Sequence, residues 1–117
     1  MKVSDIRSIS IIGAGIMGHG IAQVFAMGGY DVCINDVAAD ILVKAIIRVR
    51  ENLRIFEENG FITAQEADAA LARIRTEPDL AACVREADIV IEAVKEDIEV
   101  KRALFNRLDT LCPERTI

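Results

Sequence analysis

The chain has 117 residues, the length of one domain, with 52% hydrophobic and 28% charged residues, a balance typical of globular rather than disordered proteins. Its net charge is −5, from 14 Lys and Arg against 19 Asp and Glu, and aromatics are only 4% with no Trp. Nucleic-acid backbones need a basic face and single strands need aromatic platforms, so nucleic-acid binding is excluded, although backbone N–H groups could still hold one phosphate group.

In chain order, Arg7 to Ile12 reads as a buried strand, with Ile9, Ile11 and Ile12 running into Gly13. Met17 to Met27 reads as a helix with a buried face, stopped at Gly28-Gly29, where a left-handed residue can end it. "YDVCIN", Tyr30 to Asn35, is a second short strand. A long amphipathic helix follows, with Ile41, Leu42, Ala45, Ile46, Val49, Leu53 and Phe56 three or four apart, closed by Asn59-Gly60. "TAQE" then opens a helix to about Arg73, where Thr63 can cap and Glu66 can reach back. Residues 76–79, "TEPD", read as a break flanking a third strand that the pattern does not place. Leu80 to Glu86 reads as a short helix and "ADIVIEAV", Ala87 to Val94, as a strand. A last helix from Ile98 to Leu111 presents Val100, Leu104, Phe105, Leu108 and Leu111 on one side; Pro113 follows, and "RTI" opens another strand. Alternating strands and helices predict an α/β fold, a doubly wound parallel sheet with helices on both faces.

The loop "GAGIMGHG" has the GxGxxG spacing, which is weak alone. Here it follows a strand, opens a helix, and is followed by Asp36 at the end of the next strand, 18 positions after Gly18. That is a dinucleotide-binding fingerprint. Gly13 permits the tight turn, Gly15 lets backbone approach a pyrophosphate, and Gly18 lets the helix lie close to the strand. Asp36 can accept from the adenosine ribose hydroxyls. It would repel a 2′-phosphate, and no Arg follows it in "DVAAD", so NAD is expected rather than NADP. A ligand-free glycine turn and FAD are the alternatives.

His19 is the sole histidine. No carboxylate is placed in sequence to orient it, so it reads as a passive neighbour of the phosphates, and the chain carries no catalytic base. Glu92 alternates with Val90 and Val94 inside a strand and reads as structural. Glu96 lies just past that strand, at the expected switch point, and is the better site residue. Cys33, Cys83 and Cys112 form no CxxC pair or Cys/His cluster, so neither a metal nor a disulfide is expected, only reduced core or surface thiols. Without a signal peptide or membrane-length apolar run, the expectation is a cytoplasmic protein that does not enter membranes.

With those residues in place, the sequence resembles the N-terminal NAD-binding domain of the 3-hydroxyacyl-CoA dehydrogenases, over essentially residues 1–117. "IGAGIMGHGIAQVFAMGGYDVCINDV" is similar to the family's cofactor loop and "ADIVIEAVKEDIEVKRALFNRLD" to its second signature segment. The two predicted helices between Asp36 and Arg73 match the family's helical hairpin after strand two. The resemblance implies a Rossmann-type sheet incomplete at its C-terminal end. It implies cofactor contacts at Gly13, Gly15, Ile16, Met17, Gly18 and Asp36, then at Ala93, Val94, Lys95, Glu96 and Lys101. It further implies NAD-dependent interconversion of 3-hydroxyacyl-CoA and 3-oxoacyl-CoA in fatty acid metabolism (beta-oxidation), by a homodimer whose catalytic His and helical substrate domain lie beyond Ile117. The chain alone is then expected to be inactive and to self-associate through an exposed sheet edge. Some family members contact CoA from the hairpin through a Ser and a Lys. Asn52 and Asn59 stand at those positions, with Arg48, Arg50 and Arg54 nearby. A sensor or interaction module that binds NAD without catalysis is the rival reading.

Overall fold

The computed structural model describes residues 5–93 and 98–112. Over these, strands and helices alternate: β1 (Ser8–Ile12), α1 (Ile16–Met27), β2 (Asp31–Asn35), α2 (Ala39–Glu58), α3 (Ala64–Ala72), β3 (Ile74–Glu77), α4 (Leu80–Val84), β4 (Ile89–Glu92) and α5 (Ile98–Leu111). The strands form one sheet in the order β3-β2-β1-β4, with every pairing parallel. Parallel neighbours cannot be joined by tight hairpins, which is why a helix fills each crossover. The chain builds outward from β1 to β3, then returns to the other flank of β1 as β4. That reversal opens a crevice at the carboxyl ends of β1 and β4, where such sheets bind ligands. The expected doubly wound α/β arrangement is the one found.

β1 is central, and its alternation divides the core. Ile9 and Ile11 pack with Val32 and Ile34 of β2 under α1, α2 and α3, meeting Ala22, Ala26, Leu42, Ala45, Val49 and Leu53. On the other face Ile12 packs with Cys33, Leu80, Cys83, Val84, Ala87 and Leu108 under α4 and α5. The one polar residue that β1 turns inward within its span, Ser10, donates from Oγ to the Cys83 carbonyl oxygen at 2.6 Å, so its burial leaves no unmet donor.

The helix ends follow local chemistry. Gly29 (φ +98°) follows α1 and Gly60 (φ +77°) follows α2, conformations that a side chain would strain. The hairpin of α2 and α3 exists as expected: Thr63 Oγ1 accepts from the Glu66 N–H at 3.0 Å, and Glu66 Oε1 accepts from the Thr63 N–H at 3.1 Å. Arg73, just after α3, donates from Nη1 to the Ala26 carbonyl oxygen at 2.8 Å. That places a cation at the negative end of α1.

The starts of β1, α1 and β2 differ from the sequence expectation by one residue, and three boundaries differ by more. Thr76 and Glu77 belong to β3 rather than to a break, which begins only at Pro78. β3 is an edge strand with Arg75 and Thr76 exposed, so it lacks the apolar run that marks a buried parallel strand. β4 starts two residues later than Ala87: Asp88 precedes it, its N–H donating to the Ser8 carbonyl oxygen at 2.9 Å and its Oδ2 accepting from the N–H groups of Arg7 (2.8 Å) and Ser8 (3.0 Å). α4 ends at Val84 rather than Glu86. In α5, Leu108 is buried and Leu104 and Leu111 are half-buried, as expected. The side chains of Val100 and Phe105, and the Pro113 and "RTI" segments, lie outside the described residues. Among those described, no helix is long and apolar enough to cross a membrane.

Candidate functional site

β1 delivers the chain to Gly13, which turns at φ +106°. The turn is held from both sides: the Gly13 N–H donates to the Asn35 carbonyl at 2.7 Å, and the Ala93 N–H donates to the Ile12 carbonyl at 2.8 Å. Gly18 is required by this packing itself. A Cβ there would overlap the Gly13 carbonyl oxygen and lie 2.9 Å from its carbon.

Gly15 is different. A Cβ at that position would meet no protein atom within 4 Å. The packing does not demand glycine there, and the open face of Gly15 leaves room for a bound group to approach the backbone. Gly15 is also the N-cap of α1, with no side chain to satisfy the first N–H groups and no acid in the first turn. Free donors at the positive end of a helix, with backbone open to close approach, fit a pyrophosphate.

Asp36, immediately after β2, is half-buried and splints the loop. Its Oδ2 accepts from the Ala14 N–H at 3.1 Å and its Oδ1 from the Ala38 N–H at 3.0 Å. Each carboxylate oxygen keeps a lone pair for a hydroxyl donor, as a ribose would supply. Beside it lies a cleft of about 550 Å³. It is lined by Gly13, Asp36 and Val37, by Pro78, Asp79 and Leu80, and by Leu104 and Arg107 of α5. Val37 is 91% exposed, an apolar side chain left open beside a carboxylate, which suits a flat base attached to a polar sugar.

Of the residues expected from sequence, Gly13, Gly15, Gly18, Asp36 and Ala93 converge at the carboxyl ends of β1, β2 and β4. Ile16 and Met17 form the first turn of α1. Lys101 lies in α5, its side chain not among those described, and Val94, Lys95 and Glu96 lie outside the described residues. His19 is buried, with Nδ1 at 3.0 Å from the Gly15 carbonyl oxygen; that oxygen can only accept, so Nδ1 carries the proton and the ring braces the loop. Glu92 is half-buried, in register with Ile12. Among the described residues no three His, Cys, Asp or Glu gather into a potential metal site. Sequence reasoning missed Asp79, Leu80 and Arg107. It sought a cation directly after Asp36, whereas the fold brings Arg107 to the same cleft from α5, with no local signal to announce it.

The family model described as "3-hydroxyacyl-CoA dehydrogenase, NAD binding domain" matches residues 8–117. The chain belongs to the 3-hydroxyacyl-CoA dehydrogenase family. It is the family's NAD-binding domain, and NAD is its cofactor. Among relatives of this dehydrogenase domain, the 3-hydroxyadipyl-CoA dehydrogenase of Escherichia coli (strain K12) is 37% identical over 113 residues, covering 97% of this chain and 24% of the relative. The mitochondrial hydroxyacyl-coenzyme A dehydrogenase of Homo sapiens is 38% identical over 117 residues, covering 96% of this chain and 37% of the relative. The crystal structure of 3-hydroxybutyryl-CoA dehydrogenase from Escherichia coli K12 superposes with a TM-score of 0.93 at 37% identity, over 97% of this chain and 24% of that one. The chain thus spans well under half the length of these relatives.

Proposed function

We propose that this domain is the NAD half-site of an enzyme that interconverts 3-hydroxyacyl-CoA and 3-oxoacyl-CoA by hydride transfer, in fatty acid or hydroxybutyryl-CoA metabolism. The observation that carries the reading is the contrast inside one loop: Gly18 is filled by its own fold, while Gly15 faces open space at an uncapped helix start. NAD, when bound, accepts the hydride. The chain's own part is to bind and orient. The first turn of α1, with Ile16 and Met17, holds the pyrophosphate and Asp36 holds the ribose, while the family resemblance assigns further cofactor contacts to Ala93, Val94, Lys95, Glu96 and Lys101.

Proton removal from the substrate hydroxyl falls to a histidine beyond these 117 residues, since the sole histidine here braces Gly15. Residues 1–117 therefore bind cofactor without turning over an acyl-CoA. The whole enzyme takes acyl-CoA and works as a homodimer. Its site is the cytoplasm, although several relatives are named mitochondrial. β4 lies at the edge of the sheet, and the isolated domain self-associates through it. The same commitment of His19 favours one rival, a binding-only NAD sensor.

Fluorescence titration of residues 1–117 with NADH and NADPH tests the half-site, and saturation by NADH with weak NADPH binding is expected. Failure of a folded sample to bind NADH would overturn it. An NAD-dependent assay of the whole protein with 3-hydroxybutyryl-CoA separates the two readings: turnover supports the enzyme, while NADH binding without turnover of any 3-hydroxyacyl-CoA supports the sensor.

A further inference from the structure

A second cleft, of about 340 Å³, lies toward the amino ends of β1 and β2, away from the cofactor loop. Charged residues from several elements line it, among them Asp31, Arg73, Arg75 and Glu86, and two cysteines lie on its inner wall. Cys33 is in β2 and Cys83 in α4, 50 residues apart in sequence, yet they pack against each other. The Cys83 thiol donates to the Cys33 carbonyl oxygen at 3.6 Å, which sets the two residues against each other. Both are free and 4% or less exposed, so bulk solvent meets them only through the cleft. A cleft of this volume admits a molecule the size of water or a small peroxide.

We propose that Cys33 and Cys83 form a reactive dithiol, a site of covalent modification by small hydroperoxides that closes to a disulfide between β2 and α4. Cys33 is the attacking thiol. The hydrogen bond from Cys83, aided by the Arg75 guanidinium in register beside it, outweighs burial and holds Cys33 below the usual thiol range. Cys83 is held far above that range, by donating to Cys33 and by burial, so it stays protonated until the second step. In the first step the Cys33 thiolate attacks a peroxide oxygen and the O–O bond breaks. Cys33 becomes a sulfenic acid, and the leaving oxygen takes up a proton, the equivalent of the one Cys33 released, as water or an alcohol. In the second step the Cys83 sulfur attacks the Cys33 sulfur, the S–O bond breaks, and hydroxide leaves with the Cys83 proton as water. The two thiols are oxidised by two electrons in all, and one peroxide is reduced.

The arrangement does not depend on the substrate or activity proposed above, and the two can fail separately. The test is treatment of the protein with hydrogen peroxide, followed by intact mass and peptide mapping. A loss of about 2 Da with Cys33 and Cys83 peptides joined, reversed by dithiothreitol, is expected, as is the same result in Cys112→Ser. In Cys83→Ala the reaction stops at a Cys33 sulfenic acid that a 1,3-diketone traps, and Cys33→Ala yields neither product. Should either variant fail to fold, the mapping of the wild-type and Cys112→Ser proteins decides alone. The proposal is overturned if peroxide leaves both thiols reduced, if the bridge involves Cys112, or if sulfenic acid gathers on Cys83 instead.

Discussion

The Asp36 carboxylate accepts the Ala14 N–H across 22 residues of sequence, at 3.1 Å, while its other oxygen holds Ala38 two residues on. One side chain thereby fixes the glycine loop relative to the start of α2 and, in the proposed site, faces the ribose. Asp36→Ala should cost about 1–3 kcal/mol of stability, the usual consequence of orphaning buried donors. It should also weaken NADH binding by roughly tenfold and narrow the gap between NADH and NADPH as a negative charge is lost. Thermal melts and paired titrations check both halves.

The two loop glycines should part company on mutation. Gly15→Ala meets only open space in the protein, so its melting temperature should stay within about 3 °C of wild type, while NADH affinity falls by roughly tenfold or more. Gly18→Ala drives a methyl into the Gly13 carbonyl and should lose about 3 kcal/mol of stability. Calorimetry alongside NADH titration separates them. Equal destabilisation of the two variants would refute the assignment.

Arg107 is exposed and lines the cleft that also holds Asp36. Arg107→Glu should leave stability within about 0.5 kcal/mol. It should weaken binding of the anionic NADH about fivefold at low salt, with the difference shrinking as salt screens the site. Titrations at two ionic strengths read the effect directly.

Cys33 is held below its usual range by the Cys83 hydrogen bond and Arg75, with burial opposing. The thiolate is the nucleophile, so alkylation of Cys33 should rise with pH through a midpoint below the ordinary thiol value of 9.0. Cys83, shifted the other way, should stay unlabelled across the same range in the folded protein. Pulsed iodoacetamide labelling with peptide mapping provides the two curves; matching curves for both cysteines would contradict the assignment.

Thr63 supplies a control remote from the cofactor. Its hydroxyl takes one donor of α3 and Glu66 returns the bond. Thr63→Ala should cost about 1 kcal/mol, or roughly 4–8 °C in melting temperature, with NADH affinity unchanged.

What sequence disclosed and what it hid divide on a physical line. The apolar run into Gly13, the GxGxxG spacing, Asp36 and the Thr63/Glu66 box were legible because each signal is complete within a few residues. β3 was poorly placed because an edge strand with Arg75 and Thr76 outward has no apolar run. Asp88 looked like strand and proved to be a cap on the start of β1, a role visible only once β4 lies beside β1. Cys33 and Cys83 read as unrelated thiols, and Arg107 as one more charge on a helix. Their partners come from elements distant in sequence, and spacing carries no record of them.

The central position of β1 also sets where the chain can change length. Its five residues alternate Ile9 and Ile11 against Ser10 and Ile12, in register with β2 on one side and β4 on the other. One inserted or deleted residue would exchange the two faces, putting Ser10 under α1 and pulling Gly13 away from the ends of β2 and β4. The turn between α2 and α3 takes part in no strand pairing, and its tip, Asn59 to Phe61, is exposed. Insertions should therefore be accepted at that tip and refused in β1, although both segments are short and neither supplies a charged side chain.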